Sequence, residues 1–429
     1  MKPMMYYEID FSFIKEDPFL NRFIEYYVET QDATLKETLK AMGLPYTTYA
    51  YARKNGIVNS KKVTEAFSAY FDIDLTIDET LYDALRNLVY KAITESYFVK
   101  VKKLREVQDE LKSYKDKVKG TPLYFLYALA YLSAFDHFNA DQFFNEMEEE
   151  VLPFLEYKAP VMSHDVLYFY TFSKTEYFFY ADKDEEAVGL IEEYERLDPY
   201  VNERLKTMGY FDLFTLYALK KQYARCLNYI EKCEALCFKY YNPERLKAIR
   251  QNKTAILFHH ESYEEALANA RGDLLFIYRN DLQENRMFFK ILIVVIVSSL
   301  IKLGRYEEAV LESEKFFDYE LEDYYGQALL FQKLSYYKMK DEKGLQATEE
   351  RKVALEANGH EFPKRYYALS ELINIIHRRK KQAMKTFGAR LKPYTKEQVY
   401  HYNRIAVFLK DEYEAYLKET GHFIEVLDM

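Results

Sequence analysis

Tryptophan is absent from the 429 residues, and glycine, proline and cysteine are scarce, at 12, 10 and 3. A sheet protein of this length turns on many Gly and Pro residues, so their shortage favours helices joined by tight loops. The three cysteines, Cys226, Cys233 and Cys237, lie on one short stretch. An odd number without a secretory signal excludes a disulfide-stapled scaffold and points to a reducing cytoplasm. Glu8, Asp10, Glu16 and Asp17 follow Met1-Lys2-Pro3, which fits neither a signal nor a transit peptide. The longest apolar run, Ile291 to Ile301, is bounded by Lys290 and Lys302. As a helix it covers about 16 Å, roughly half a bilayer core, so it reads as a buried helix and no membrane partner is expected.

Catalytic signatures are missing too. There is no Gly-x-Ser-x-Gly, no phosphate-binding glycine loop and no His-Glu-x-x-His, so neither an enzyme nor a cofactor is expected. Cys233 and Cys237 are four apart on one helix face, but no Cys-x-x-Cys accompanies them. They read as buried thiols, and no metal site is expected.

What is present is aromatic and repetitive. The 43 Tyr and 31 Phe supply the core, and the length calls for several domains or a repeat array. A net charge of −9 argues against a surface that coats nucleic acid everywhere, while leaving room for a local basic patch. Small residues at Ala187, Cys226, Ala266, Ala309 and Gly344, each followed by an aliphatic one, recur at spacings of 39, 40, 43 and 35. Such a slot is needed where the second helix of a hairpin crosses the first closely. The clearest unit is Leu303-Gly304-Arg305-Tyr306-Glu307-Glu308-Ala309-Val310. In it Gly304 ends one helix and two acids open the next. This resembles the tetratricopeptide repeat, whose second helix characteristically begins Gly-x-Tyr-x-x-Ala, with lengthened helices. Pairs are read at 121–139 with 141–156, and further helices at 79–117, 162–181, 363–378, 394–409 and 410–420.

Residues 18–75 differ. Thr34-Leu35-Lys36-Glu37 is a capping box, the helix it opens ends at Gly43, and a second runs from Tyr46 to Lys54. Asn55-Gly56 stops that helix, and Ser60 caps another from Lys61 to Phe71. Between Thr34 and Lys62 six basic residues face Glu37 alone, a local excess of five positive charges. The stretch from Thr34 to Asn55 resembles the phage-repressor-like (XRE) helix-turn-helix, with Glu37, Met42, Gly43, Leu44, Thr47, Thr48 and Tyr49 at matching positions. Pro45 stands where that family puts its capping Ser, Ala50 replaces a polar reader, and Leu35 replaces a phosphate-touching Gln.

The resemblance implies that Tyr46, Thr47 and Tyr51 meet base edges, and that Lys36, Arg53, Lys54, Lys61 and Lys62 sit nearer phosphates. The expected fold is all-α: a helix-turn-helix domain over 1–75, a linker with first helices over 76–120, and a tetratricopeptide-like sensor and dimerisation array over 121–429. This layout resembles the Rgg/PlcR/NprR/PrgX group of peptide-pheromone-responsive regulators. It implies a cytoplasmic homodimer that binds DNA through the head and a short signalling peptide in the groove of the array. Asn252, Arg250, Lys253 and Tyr217 are the expected peptide contacts. The alternative is a cytoplasmic protein-interaction scaffold with a degenerate helix-turn-helix.

Overall fold

A computed structural model describes residues 9–30, 34–98, 101–134, 140–280 and 286–362, with Tyr366, Tyr367, Ser370, Ile373 and Asn374 beyond them. Among the described residues every regular element is helical. The helices expected at 394–409 and 410–420, and most of that at 363–378, lie outside the described residues. By their contacts the residues fall into two compact units, Met1–Ile249 and Arg250–Met429.

The first unit opens with α1 (Asp17–Glu29), whose Phe19, Leu20, Phe23, Ile24 and Val28 make one buried stripe. Next come α2 (Leu35–Ala41), α3 (Tyr46–Asn55) and α4 (Lys61–Phe71). The expected capping box is present: Glu37 N–H donates to Thr34 Oγ1 at 3.3 Å and Thr34 N–H to Glu37 Oε2 at 2.9 Å. Ser60 precedes α4, as expected, but its side chain makes no capping bond.

The chain continues through α5 (Glu79–Tyr97), α6 (Val101–Leu111), α7 (Lys115–Val118), α8 (Tyr124–Ser133), α9 (Ala140–Glu146) and α10 (Leu152–Lys158). Between α9 and α10 the helix widens into a π turn over Met147–Val151, just ahead of Pro153, whose missing N–H interrupts α-helical bonding. Aromatic rings join α1 to this layer: Phe19 meets Phe125 edge-on at 5.4 Å, and Tyr26 meets Phe154 at 5.2 Å.

Helix pairs follow. In the first, α11 (His164–Tyr180) faces a second helix broken into α12 (Asp184–Gly189) and α13 (Ile191–Leu197). In the next, α14 (Glu203–Leu219) packs along α15 (Tyr223–Lys239). The division between the two units falls inside α16 (Pro243–His259). In the second unit α17 (Tyr263–Asn280), α18 (Arg286–Lys302), α19 (Tyr306–Asp318), α20 (Tyr325–Met339) and α21 (Glu342–Ala357) pack each against the next. The apolar run 291–301 is the body of α18, buried as expected. Ion pairs tie successive second helices, Arg271 reaching Glu308 and Glu312 at 3.3 Å and Arg351 reaching Glu314 at 2.7 Å.

The small-residue register is the seam of these pairs. Ala187, Cys226, Ala266 and Ala309 are fully buried. A Cβ on Gly344 would stand 2.5 Å from Cγ of Tyr336 and nearer still to its ring edge. The turns are equally regular: Lys183, Gln222, Ser262, Arg305 and Asp341 each donate a backbone N–H to the carbonyl five residues back, at 2.8–2.9 Å. This is the Schellman closure, and it needs a left-handed residue. Only Gly304 among these turns supplies it as glycine (φ 72°); Asp182, Lys221, Glu261 and Lys340 take φ of 54–62° with a side chain.

Tyr241, at the turn into α16, does the same at φ 56° while 88% exposed. A left-handed L-residue costs about 1–2 kcal/mol, of which glycine recovers part. Tyr241→Gly is therefore expected to stabilise the protein by about 1 kcal/mol, seen as a higher urea midpoint. A lower midpoint would mean that the ring makes a stabilising contact.

Candidate nucleic-acid interface and repeat face

The turn between α2 and α3 is built by Gly43 (φ 65°) and by Leu44, whose N–H donates to Leu39 O at 2.8 Å. Leu39 and Leu44 are buried, and Pro45 is the N-cap of α3 without a side-chain bond to its first turn. The inner face of α3 is Tyr49 and Ala52, with Tyr49 against Phe67 of α4 at 5.7 Å. Burial first, then the charge of Glu25 on α1, pushes the Tyr49 hydroxyl up to about 12. Gly56 ends α3 at φ 98°, and a Cβ there would stand 2.8 Å from Asp17 Oδ2. Asp17 Oδ1 accepts the Ile57 N–H at 3.0 Å, so α1 holds the end of α3 in place.

The outward face of α3 is polar and aromatic. Tyr46 and Tyr51 are 60% and 71% exposed, and Thr47 and Lys54 stand exposed between them. At about 100° per residue these four share one arc of the helix. Lys36 of α2 and Lys61 and Lys62 of α4 are also exposed. Lys61 lies 3.6 Å from Glu65 one turn on, and Arg53 lies 2.7 Å from Glu25. Such an array of cations and aromatic hydroxyls can meet phosphates and base edges. Glu25 and Asp17 escaped sequence reasoning; the signal that finds their helix is the apolar stripe Phe19–Val28.

The expected peptide contacts are distributed differently. Tyr217 is buried, stacks on Tyr229 at 5.6 Å, donates its hydroxyl to Glu195 Oε1 at 2.5 Å and accepts from Arg225 at 3.0 Å. Arg250, Asn252 and Lys253 lie on α16, in the other unit, and are half-buried. Arg250 stands 3.6 Å from the buried carboxylate of Asp273. The three cysteines are free and buried, with Cys233 Sγ donating to Thr207 O at 3.1 Å.

A polar cluster that sequence reasoning did not find lies inside the first unit. Tyr194 of α13, fully buried, donates its hydroxyl to Asp212 of α14, which lies close to Glu176 of α11. Burial and then the neighbouring Glu176 push the Asp212 carboxyl well above the usual carboxylate range; burial also raises Glu176. Two carboxyls so placed disfavour each other's charged form. Arg245 of α16 favours their charged forms and donates to Ser96 O at 2.6 Å and Tyr97 O at 3.2 Å.

No protein-family model matches the chain. No curated protein matches it either. Among solved structures, a crystal structure of Rap protein complexed with competence and sporulation factor aligns at 14% identity with a TM-score of 0.47, covering 79% of this chain and 99% of that one. Among the described residues no helix is long and apolar enough to cross a membrane, and no group of three His, Cys, Asp or Glu is placed to hold a metal ion.

Proposed function

We propose that the chain is a ligand-controlled transcription regulator. In this reading residues 1–75 form a DNA-binding head, 76–120 the connection and first helices, and 121–429 a peptide-sensing and dimerising array. The observation that carries it is the outward stripe of α3, where Tyr46, Thr47, Tyr51 and Lys54 stand exposed, as do Lys36 of α2 and Lys61 and Lys62 of α4. Two tyrosines at 60% and 71% exposure on one short helix leave most of their rings to solvent, and exposed lysines on the same three helices suit a phosphate backbone. The peptide is proposed to lie along α16, with Asn252 meeting its backbone and Arg250 and Lys253 its acidic groups. Tyr217, bonded to Glu195 and Arg225, serves the packing of α14 on α15.

The test is binding to duplex DNA from beside the protein's own gene, titrated with salt. At about 50 mM salt, where phosphate contacts are strongest, wild type is expected to bind. Lys54→Ala is expected to weaken it and to lower the log–log salt slope by about 0.9. No binding at that salt would sink the reading. A protein-docking scaffold is the second reading, favoured by Phe238 and Tyr241, 61% and 88% exposed three residues apart.

A further inference from the structure

One cation of α3, at the edge of the outward stripe, is paired with a carboxylate of α1. Arg53 Nη2 lies 2.7 Å from Oε1 of Glu25 on α1; the Glu25 side chain is only 21% exposed, while that of Arg53 remains 51% exposed. Free of that carboxylate, Arg53 would be the strongest phosphate ligand on the helix, because its planar fork matches two phosphate oxygens. Paired, its charge is offset, and Glu25 adds a repulsion toward any approaching phosphate.

Glu25 shares its face of α1 with residues that seat the helix on α10. Phe23 and Tyr26 pack edge-on against Phe154 of α10 at 6.2 and 5.2 Å. Arg22 Nη1 donates to Tyr157 O at 3.3 Å, Lys158 Nζ donates to Arg22 O at 2.8 Å, and the Tyr157 hydroxyl donates to Glu29 at 2.7 Å. Arg22, Glu25, Tyr26 and Glu29 follow one another at helical spacing, so this seat fixes where Glu25 points.

We propose that Glu25 is an autoinhibitory contact: it withholds Arg53 from nucleic-acid phosphate, and the seat of α1 on α10 holds it there. The inference rests on the nucleic-acid reading above. It is of modest size, because a partly exposed ion pair shifts an equilibrium about two- to five-fold.

A random-sequence DNA duplex serves as the probe. Glu25→Gln is expected to bind it about two- to five-fold tighter than wild type at about 50 mM salt, with a slope steeper by about 0.9. Arg53→Ala is expected to cancel the gain, so that the double variant binds like Arg53→Ala alone. Glu16→Gln makes the same charge change at the start of α1, where the side chain is exposed and makes no capping bond, and controls for charge alone. Tyr157→Phe, which removes the bond to Glu29, is expected to move wild type toward the Glu25→Gln affinity. Wild-type binding that Glu25→Gln leaves unchanged, or an equal gain from Glu16→Gln, overturns the contact alone. Unchanged affinity in Tyr157→Phe overturns the role of the seat. Binding by neither wild type nor Glu25→Gln overturns the nucleic-acid reading and the contact with it.

Discussion

Gly209→Ala is expected to destabilise the protein by about 2 kcal/mol, although alanine is the better helix former. Gly209 lies in the middle of α14. On propensity alone the change would stabilise by about 0.5–1 kcal/mol. Yet a Cβ there would stand 2.7 Å from Cε1 of Tyr168 and closer to Cζ and the hydroxyl. Tyr168 is 1% exposed and held edge-on against Tyr194 at 5.3 Å, so its ring has nowhere to swing. Overpacking a close-packed interior costs about 1–3 kcal/mol and outweighs the propensity gain. A thermal melt should show a drop of about 4–8 °C. Gly189→Ala is the control, since nothing stands within 4 Å of a Cβ there. It should melt at or slightly above wild type. Gly209→Ala melting as high as Gly189→Ala would refute the close crossing of α11 and α14.

Asp212→Asn is expected to change how stability depends on pH. Folded Asp212 has a raised pKa, so over the range between its unfolded and folded values the native state holds a proton that the unfolded state has released. The unfolded state then binds fewer protons, and stability falls as pH rises. An amide keeps an oxygen for the Tyr194 hydroxyl and an N–H₂ toward Glu176 without titrating. The variant should therefore gain on wild type as pH rises above the ordinary aspartate range, at up to about 1.4 kcal/mol per pH unit.

Lys158 acts in the opposite sense. Its burial among the rings of Phe23, Tyr26, Phe154 and Tyr157 lowers its amine to about 6. Its contribution thus rises with pH above about 6. Both proteins carry it, so it cancels in the difference between their urea-unfolding profiles. A pH-independent difference would show that the fold does not raise the Asp212 pKa.

Much of this architecture is legible along the chain. The Thr34–Glu37 box, Gly304 with the acids of α19, and the small residues from Ala187 to Gly344 are local signals, set by spacings that one helix or one turn imposes. Tyr217 shows where such reading stops. A tyrosine at a first-helix position is equally suited to a ligand face and to a core, and only its neighbours Tyr229, Glu195 and Arg225 decide between them. The left-handed turns were hidden for another reason. Lys221, Glu261 and Lys340 carry no glycine signal, because packing of the paired helices imposes the closure whatever the residue.

By itself, then, the sequence determined that the chain is helical, that its helices pair with a repeating small-residue seam, and that its basic excess is concentrated between Thr34 and Lys62. Those properties follow from periodicity, caps and composition, which act over a few residues. Only the tertiary structure decided that Glu25 pairs with Arg53, that Glu176 meets Asp212, and that α1 is seated on α10. Each joins residues on different helices. The distance between two side chains there depends on how helices cross, which no local spacing encodes.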